Sequence, residues 1–188
     1  REPAMSDKRA EILEAATKAA QQSGLKSVSF RHLADEVGVK SSSVHYHFPT
    51  KPDLAESMVL SYTEQFEVRL LDIANREKTL LGKLNAMTKI FEDVLAGKDM
   101  CLCGMMAAEL DALNPSTRQA LKKFFDVAES WLVTAIEEHQ ADIRISISPQ
   151  TLGKVILSGL EGAILLDRVE ESGERLDALK EMAEAIVS

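Results

Sequence analysis

Proline and glycine are scarce in these 188 residues, five and nine respectively. With 45% hydrophobic content, that excludes a collagen-like or disordered chain. There are only two cysteines, Cys101 and Cys103, and no histidine follows at zinc spacing. They supply half of a tetrahedral shell and His139 stands alone, so no metal site is expected. The sequence also lacks a glycine-rich phosphate cradle, a Ser/His/Asp arrangement in a recognisable loop, and paired carboxylates in apolar surroundings; neither enzymatic activity nor a cofactor is expected. No run approaches the roughly 20 apolar residues that a membrane-spanning helix needs. The opening REPAMSDKR carries no hydrophobic secretory segment, so a cytoplasmic location is expected, and residues 1–4, ahead of Met5-Ser6, are expected to be an expression remnant.

The net charge of −8 is divided unevenly. Residues 1–51 carry +2 and residues 52–188 carry −10, the asymmetry expected of a mildly basic nucleic-acid-binding head on an acidic body.

The head carries the most specific pattern, SVSFRHLADEVGVKSSSVHYHFPTKP at residues 27–52. Phe30, Leu33, Ala34 and Val37 fall on one face of a short helix, with Ser29 placed to cap it. Gly38 supplies the left-handed backbone of a tight turn, and Val39 and Val44 return the next helix to the same core. Its other face holds Ser42, Ser43, His45, Tyr46 and His47, groups able to hydrogen-bond base edges or phosphates from a major groove. Thr50 is expected to cap a further helix, with Pro52 in its first turn and Asp53 at its positive end.

The run V-x-S-x-x-x-H-Y-H-F-x-T-K-x-x-L, Val39 to Leu54, resembles the DNA-binding signature of the TetR (tetracycline repressor) family, AcrR-like members included. Ile12, Leu13 and Ala16 of the preceding helix fit the same domain. The match covers the first third of the chain. Lys40 stands where Ser or Thr commonly caps the recognition helix, which moves the expected cap to Ser41; His45 replaces a common Tyr, and Pro52 a common acidic residue. These departures bear on the operator sequence.

The resemblance implies an all-α protein of about nine helices: a three-helix helix-turn-helix head, residues 1–51, and a ligand-binding and dimerisation body, residues 52–188. It implies a homodimeric repressor of a palindromic operator in double-stranded DNA, released by a small-molecule effector or by thiol modification. Ser42, Ser43, His45 and Tyr46 would lie near base edges or sugar–phosphate, and Ser29, Arg31, His47 and Lys51 at phosphates. The competing reading is a helical small-molecule-binding protein of the same fold without sequence-specific DNA binding.

The body reads as consecutive amphipathic helices. A long one, residues 52–74, carries Leu54, Met58, Tyr62, Phe66 and Leu70; the next ends at Gly97; later ones open at Asn114-Pro115 and Ser148-Pro149 by the cap-then-proline rule. Ile143–Ile147 alternates with period two, yet a lone strand has no partner, so an extended connector is expected.

The helix from Pro149 is apolar around most of its girth. A dimer interface is expected at Leu152, Val155, Ile156, Gly159, Ala163, Leu166, Leu179, Met182 and Ile186, with the glycines admitting a close neighbour. Where the family builds its effector pocket, this chain has Met87, Phe91, Met105, Met106, Phe124, Phe125, Ala128, Trp131 and Leu160, residues that would equally serve as packed core. Cys101 and Cys103, beside Met105 and Met106, read either as a thiol sensor at a helix N-terminus or as small apolar filler.

Overall fold

The computed structural model describes residues 5–187; the expected expression remnant, residues 1–4, lies outside them. Nine α-helices form among the described residues: α1 Met5–Ser23, α2 Phe30–Val37, α3 Ser41–His47, α4 Lys51–Arg76, α5 Leu80–Ala96, α6 Leu102–Ala108, α7 Pro115–Glu138, α8 Pro149–Glu170 and α9 Glu174–Ile186. Single 3₁₀ turns occur at Leu25–Ser27, Leu110–Ala112 and Gln140–Asp142. The fold is all-α, as expected. Residues 143–147 form no strand; Ile143 makes one bridge to Val187, and the Arg144 N–H donates to the Ile186 carbonyl at 2.9 Å.

The chain divides into two compact units whose boundaries fall inside α4, at the start of α6 and inside α7. The first runs to Thr63 and takes in Leu102–Phe124; the second comprises Glu64–Cys101 and the chain from Phe125 onward.

In the first unit, apolar spacing along α1, α2, α3 and the start of α4 builds one core from Ile12, Ala16, Leu33, Ala34, Val44, Phe48, Leu54 and Met58, all buried. Gly38 sits at φ 70°, ψ 39°, and no atom lies within 4 Å of where a Cβ would be. The demand for glycine there comes from the backbone alone. Val39 N–H closes the turn onto the Ala34 carbonyl at 2.9 Å, steering α3 back across α2.

The caps divide into those with a side-chain bond and those without. Thr50 and Asp53 form a reciprocal box at the start of α4: Asp53 N–H donates to Thr50 Oγ1 at 3.3 Å, and Thr50 N–H to Asp53 Oδ2 at 2.9 Å. Asn114 and Ser148 cap α7 and α8 through the backbone N–H groups of Thr117 and Thr151, at 2.9 and 3.2 Å. Ser29 occupies the cap position of α2 with extended backbone, but its hydroxyl makes no capping bond. At α3 the expected shift to Ser41 does not occur: Lys40 is the cap residue and Ser41 is the first helical residue, leaving that helix start without a side-chain acceptor. α5 ends before Gly97, yet Gly97 keeps φ −74° and the left-handed residue is Lys98, at φ 58°.

In the second unit α8 and α9 form a hairpin that packs on α5. Gly159 permits this approach, because a Cβ there would meet Leu179 Cδ2 at 2.9 Å. The hairpin turn is organised by Asp167, fully buried. Its carboxylate accepts the backbone N–H groups of Arg175 and Leu176, each at 3.2 Å, and the Arg175 guanidinium at 3.1 Å. One carboxylate thereby satisfies two of the backbone N–H groups in the first turn of α9. Lys83, also buried, reaches Glu138 at 2.7 Å, and that ammonium holds the carboxyl below its ordinary value.

Candidate nucleic-acid interface

The outward face of α3 is defined by what its other face buries. Val44 and Phe48 are fully enclosed, which turns Ser42, His45 and Tyr46 outward; all three are exposed, Tyr46 at 68%. Ser43 and His47 are partly exposed. Two ring contacts shape this surface. Phe30 and His45 meet at 4.7 Å between centroids, and Tyr46 and His47 stack edge to face at 5.2 Å. His45 Nδ1 also lies 3.5 Å from the Pro49 carbonyl, so the ring lies against its own helix end. Tyr46 projects furthest. Of the four residues expected at phosphates, Arg31 is exposed on α2 and Ser29 partly so at its start, with His47 at the end of α3.

Lys51, the fourth, is engaged inside the unit: its ammonium donates to the Lys26 carbonyl at 3.2 Å. Burial pushes its pKa down, with Glu109 opposing that shift. The same Lys26 peptide is held from its other end, since Lys26 N–H donates to Glu109 Oε2 at 3.2 Å. Glu109 directly follows α6, and Gly24 makes room for it: a Cβ at Gly24, itself at φ 82°, would lie 2.2 Å from Glu109 Oε1. No spacing rule in the sequence singles out Glu109, because its hydrogen-bond partner is a backbone N–H 83 residues away.

Residues 12–58 match the family model described as bacterial regulatory proteins, tetR family. Residues 82–182, more than half of the chain, match the C-terminal domain of LmrA/YxaF-like transcriptional regulators. The chain belongs to the TetR family. It is similar to the nucleoid occlusion factor SlmA of Marinomonas sp., 25% identical over 147 residues that cover 77% of this chain and 72% of that one. It is also similar to the transcriptional repressor KstR2 of Mycobacterium tuberculosis, 25% identical over 83 residues, 44% and 42% of the two chains. Among solved structures, a TetR-family regulator from Agrobacterium tumefaciens superposes with a TM-score of 0.92 at 23% identity, covering 98% of this chain and all of that one; at that identity the likeness is one of fold. The protein is thus a TetR-family transcriptional regulator with an N-terminal helix-turn-helix DNA-binding domain. Regulators of this family are generally not enzymes.

Beyond the head, this TetR-family chain distributes the other expected site residues as follows. Met87, Phe91, Phe125, Ala128, Trp131 and Leu160 belong to the second unit, and Met105, Met106 and Phe124 to the first. Met87, Phe91, Met106, Phe124, Ala128 and Leu160 are buried, whereas Met105, Phe125 and Trp131 are partly exposed. Phe124 meets Tyr62 at 5.6 Å between ring centroids. The Trp131 indole N–H donates to the Leu70 carbonyl at 3.1 Å. A surface groove of about 370 Å³ between α4 and α5 has a different lining, Val68 and Ile90 among charged Arg69, Asp72, Arg76, Lys89 and Asp93.

Cys101 and Cys103 are both free and buried; Cys103 is the second residue of α6 and Cys101 just precedes that helix. Cys101 hydrogen-bonds the side chain of Glu161, whose carboxyl burial pushes up to about 7. Glu161 was absent from the expected site. Its signal is nonetheless present, as the single charged residue between Lys154 and Asp167 on α8.

The residues expected at a dimer interface fall into three groups. Leu152, Ile156 and Ala163 are buried within the single chain, and Gly159 packs on Leu179, so these face α9 and the core. Leu179, Met182 and Ile186 are partly exposed on α9. The remaining two, Val155 and Leu166, lie with Leu165 and Val169 on the open apolar face of α8, Val169 being 80% exposed. Gly162 lies in the same sector with nothing within 4 Å of its Cβ position.

Among the described residues no helix is long and apolar enough to cross a membrane, and no group of three or more His, Cys, Asp or Glu side chains could hold a metal ion.

Proposed function

We propose that this chain is a homodimeric, effector-responsive repressor that binds a palindromic operator through α3. The observation that carries the reading is the division of α3 into a buried side, Val44 and Phe48, and an exposed polar side, Ser42, His45 and Tyr46, displayed by a tight Gly38 turn. Ser42, Ser43, His45 and Tyr46 read base edges and sugar–phosphate, while Ser29, Arg31 and His47 anchor phosphates, joined by Lys51 through the ammonium donors that the Lys26 carbonyl leaves over. KstR2, named as a repressor, supports the sign of regulation.

Dimerisation is supported by the uncovered stripe of Val155, Leu165, Leu166 and Val169 with Gly162 set open among them. Four large aliphatic side chains on one helix sector gain roughly 1 kcal/mol or more each when covered, and an open glycine lets a second α8 approach closely. A two-fold pair would present two heads to two half-sites. The effector occupies the second unit, lined in part by Met87, Phe91, Phe125, Ala128, Trp131 and Leu160, and its occupancy favours a state with lower operator affinity. Modification of Cys101 or Cys103 is an alternative trigger in the same reading.

Electrophoretic mobility shift with the DNA upstream of the gene tests this. Salt-sensitive binding that prefers a palindrome, and that Leu166→Glu weakens together with sedimentation as a dimer, is the expected result. Equal affinity for random DNA would leave a helical small-molecule-binding protein of the same fold.

A further inference from the structure

The connector between α1 and α2 starts without a cap of its own. Gly24 stands at the cap position of the 3₁₀ turn Leu25–Ser27 and has no side chain to offer. The nearby Ser27 hydroxyl is turned elsewhere, donating to the Gly24 carbonyl at 2.7 Å. The acceptor comes from a distant stretch of the same unit: Glu109 Oε2 accepts the Lys26 N–H at 3.2 Å. Glu109 is itself fixed through its main chain. Its N–H donates to the Met106 carbonyl at 3.0 Å and its carbonyl accepts the Ala112 N–H at 2.9 Å, so the carboxylate extends from a firm corner just after α6.

Three parts of the candidate DNA-binding surface depend on where the Lys26 peptide sits. Its carbonyl accepts the Lys51 ammonium at 3.2 Å, which settles the first residue of α4. Leu25 and Val28 are buried to either side of it, so its position determines where Ser29 and Arg31 emerge at the start of α2. Phe30, between those two, meets the His45 ring of α3 at 4.7 Å between centroids. Charge alone argues against an acid at this place, because a carboxylate beside the cations of the head opposes their attraction for phosphate. Hydrogen bonding argues for it, since an acceptor at the bare start of a turn holds that turn in place.

We propose that Glu109 is a positioning residue for DNA binding: as the long-range cap of the Leu25–Ser27 turn, it seats Ser29, Arg31 and Lys51 for phosphate contact. This rests on the reading of those three residues as phosphate anchors.

The test pairs two neutral variants of the full chain, Glu109→Gln and Glu109→Met. Both remove the same charge at similar length, but only the amide keeps an oxygen to accept the Lys26 N–H. Mobility shifts use the DNA upstream of the gene and a random-sequence duplex of equal length. Glu109→Met is expected to bind the upstream DNA about five- to tenfold more weakly than Glu109→Gln. Its affinity should also depend less steeply on salt, by about one phosphate contact, while Glu109→Gln keeps the wild-type slope. Hydrogen exchange should quicken at the Lys26 amide of Glu109→Met with α1, α2 and α3 still protected. Equal affinity of the two variants, or equal salt slopes, overturns the proposal. Exchange quickened throughout the head does so as well, because Glu109 then serves stability alone. Glu109→Ala replaces Glu109→Met if circular dichroism shows the latter unfolded, and unfolding of both overturns the proposal in the same way. Wild-type protein with no preference for the upstream DNA sinks the operator reading instead; the comparison of Gln with Met on the random duplex, where phosphate contacts dominate, still decides the role of Glu109.

Discussion

The indole Nε1–H of Trp131, on α7, donates to the main-chain carbonyl of Leu70, on α4, at 3.1 Å. A mid-helix carbonyl already serves its own helix, so this second bond ties α7 to α4 within the second unit through one side chain. Trp131→Phe retains most of the ring's contact area and deletes the donor. It should cost about 1 kcal/mol of unfolding free energy, measured by urea denaturation, with the slope of the transition unchanged.

Asp167→Asn removes the charge at the α8–α9 turn but keeps the shape. The amide can accept fewer of the bonds from Arg175 and Leu176, and the Arg175 guanidinium loses one of its two carboxylate partners, Glu170 remaining. A loss of about 2–3 kcal/mol is expected, larger than for Trp131→Phe because a buried charge-assisted network is broken. Hydrogen exchange should show the loss concentrated in α9; protection lost evenly along the chain would contradict the local role assigned to Asp167.

Glu161 makes stability pH-dependent with a defined sign. Its folded-state pKa is raised, from 4.5 to about 7, so the folded protein holds this proton more tightly than the unfolded chain does. The contribution is fully favourable below 4.5 and is lost as pH rises through 7, amounting to about 3 kcal/mol at most. Glu161→Gln should flatten that portion of the stability profile and raise the melting temperature at pH 8. A profile of unchanged slope between pH 5 and 7 in the variant would show that the carboxyl is not the titrating group.

Where the sequence was legible, the physics was local. The α2–α3 turn could be read because Phe30, Leu33, Ala34 and Val37 fix one face and Gly38 fixes the turn's backbone. The caps at Thr50, Asn114 and Ser148 could be read because each acceptor lies three residues before the N–H it accepts. Ser29 and Lys40 show the limit of that rule: the residue at the cap position is set by the chain's path, and a hydroxyl there need not turn inward. On α8 the periodicity gives angles between residues but not which sector meets α9. Leu152, Ile156 and Ala163 went inward, and Val155, Leu165, Leu166 and Val169 outward. Glu161 lies between the two sectors, partly exposed, and only the packed arrangement shows that its Oε1 is enclosed without a donor.

The peptide at Lys26 has its N–H on Glu109 and its carbonyl on Lys51. Such a clamp carries information both ways. Opening of the Glu109–Lys26 bond would loosen the segment between α1 and α2, and by thermodynamic reciprocity anything that seats that segment rigidly binds the open form less well, by the factor with which it favours the closed one. The space reserved at Gly24 sets how closely this clamp can shut, because a single added methyl there would meet Glu109 Oε1.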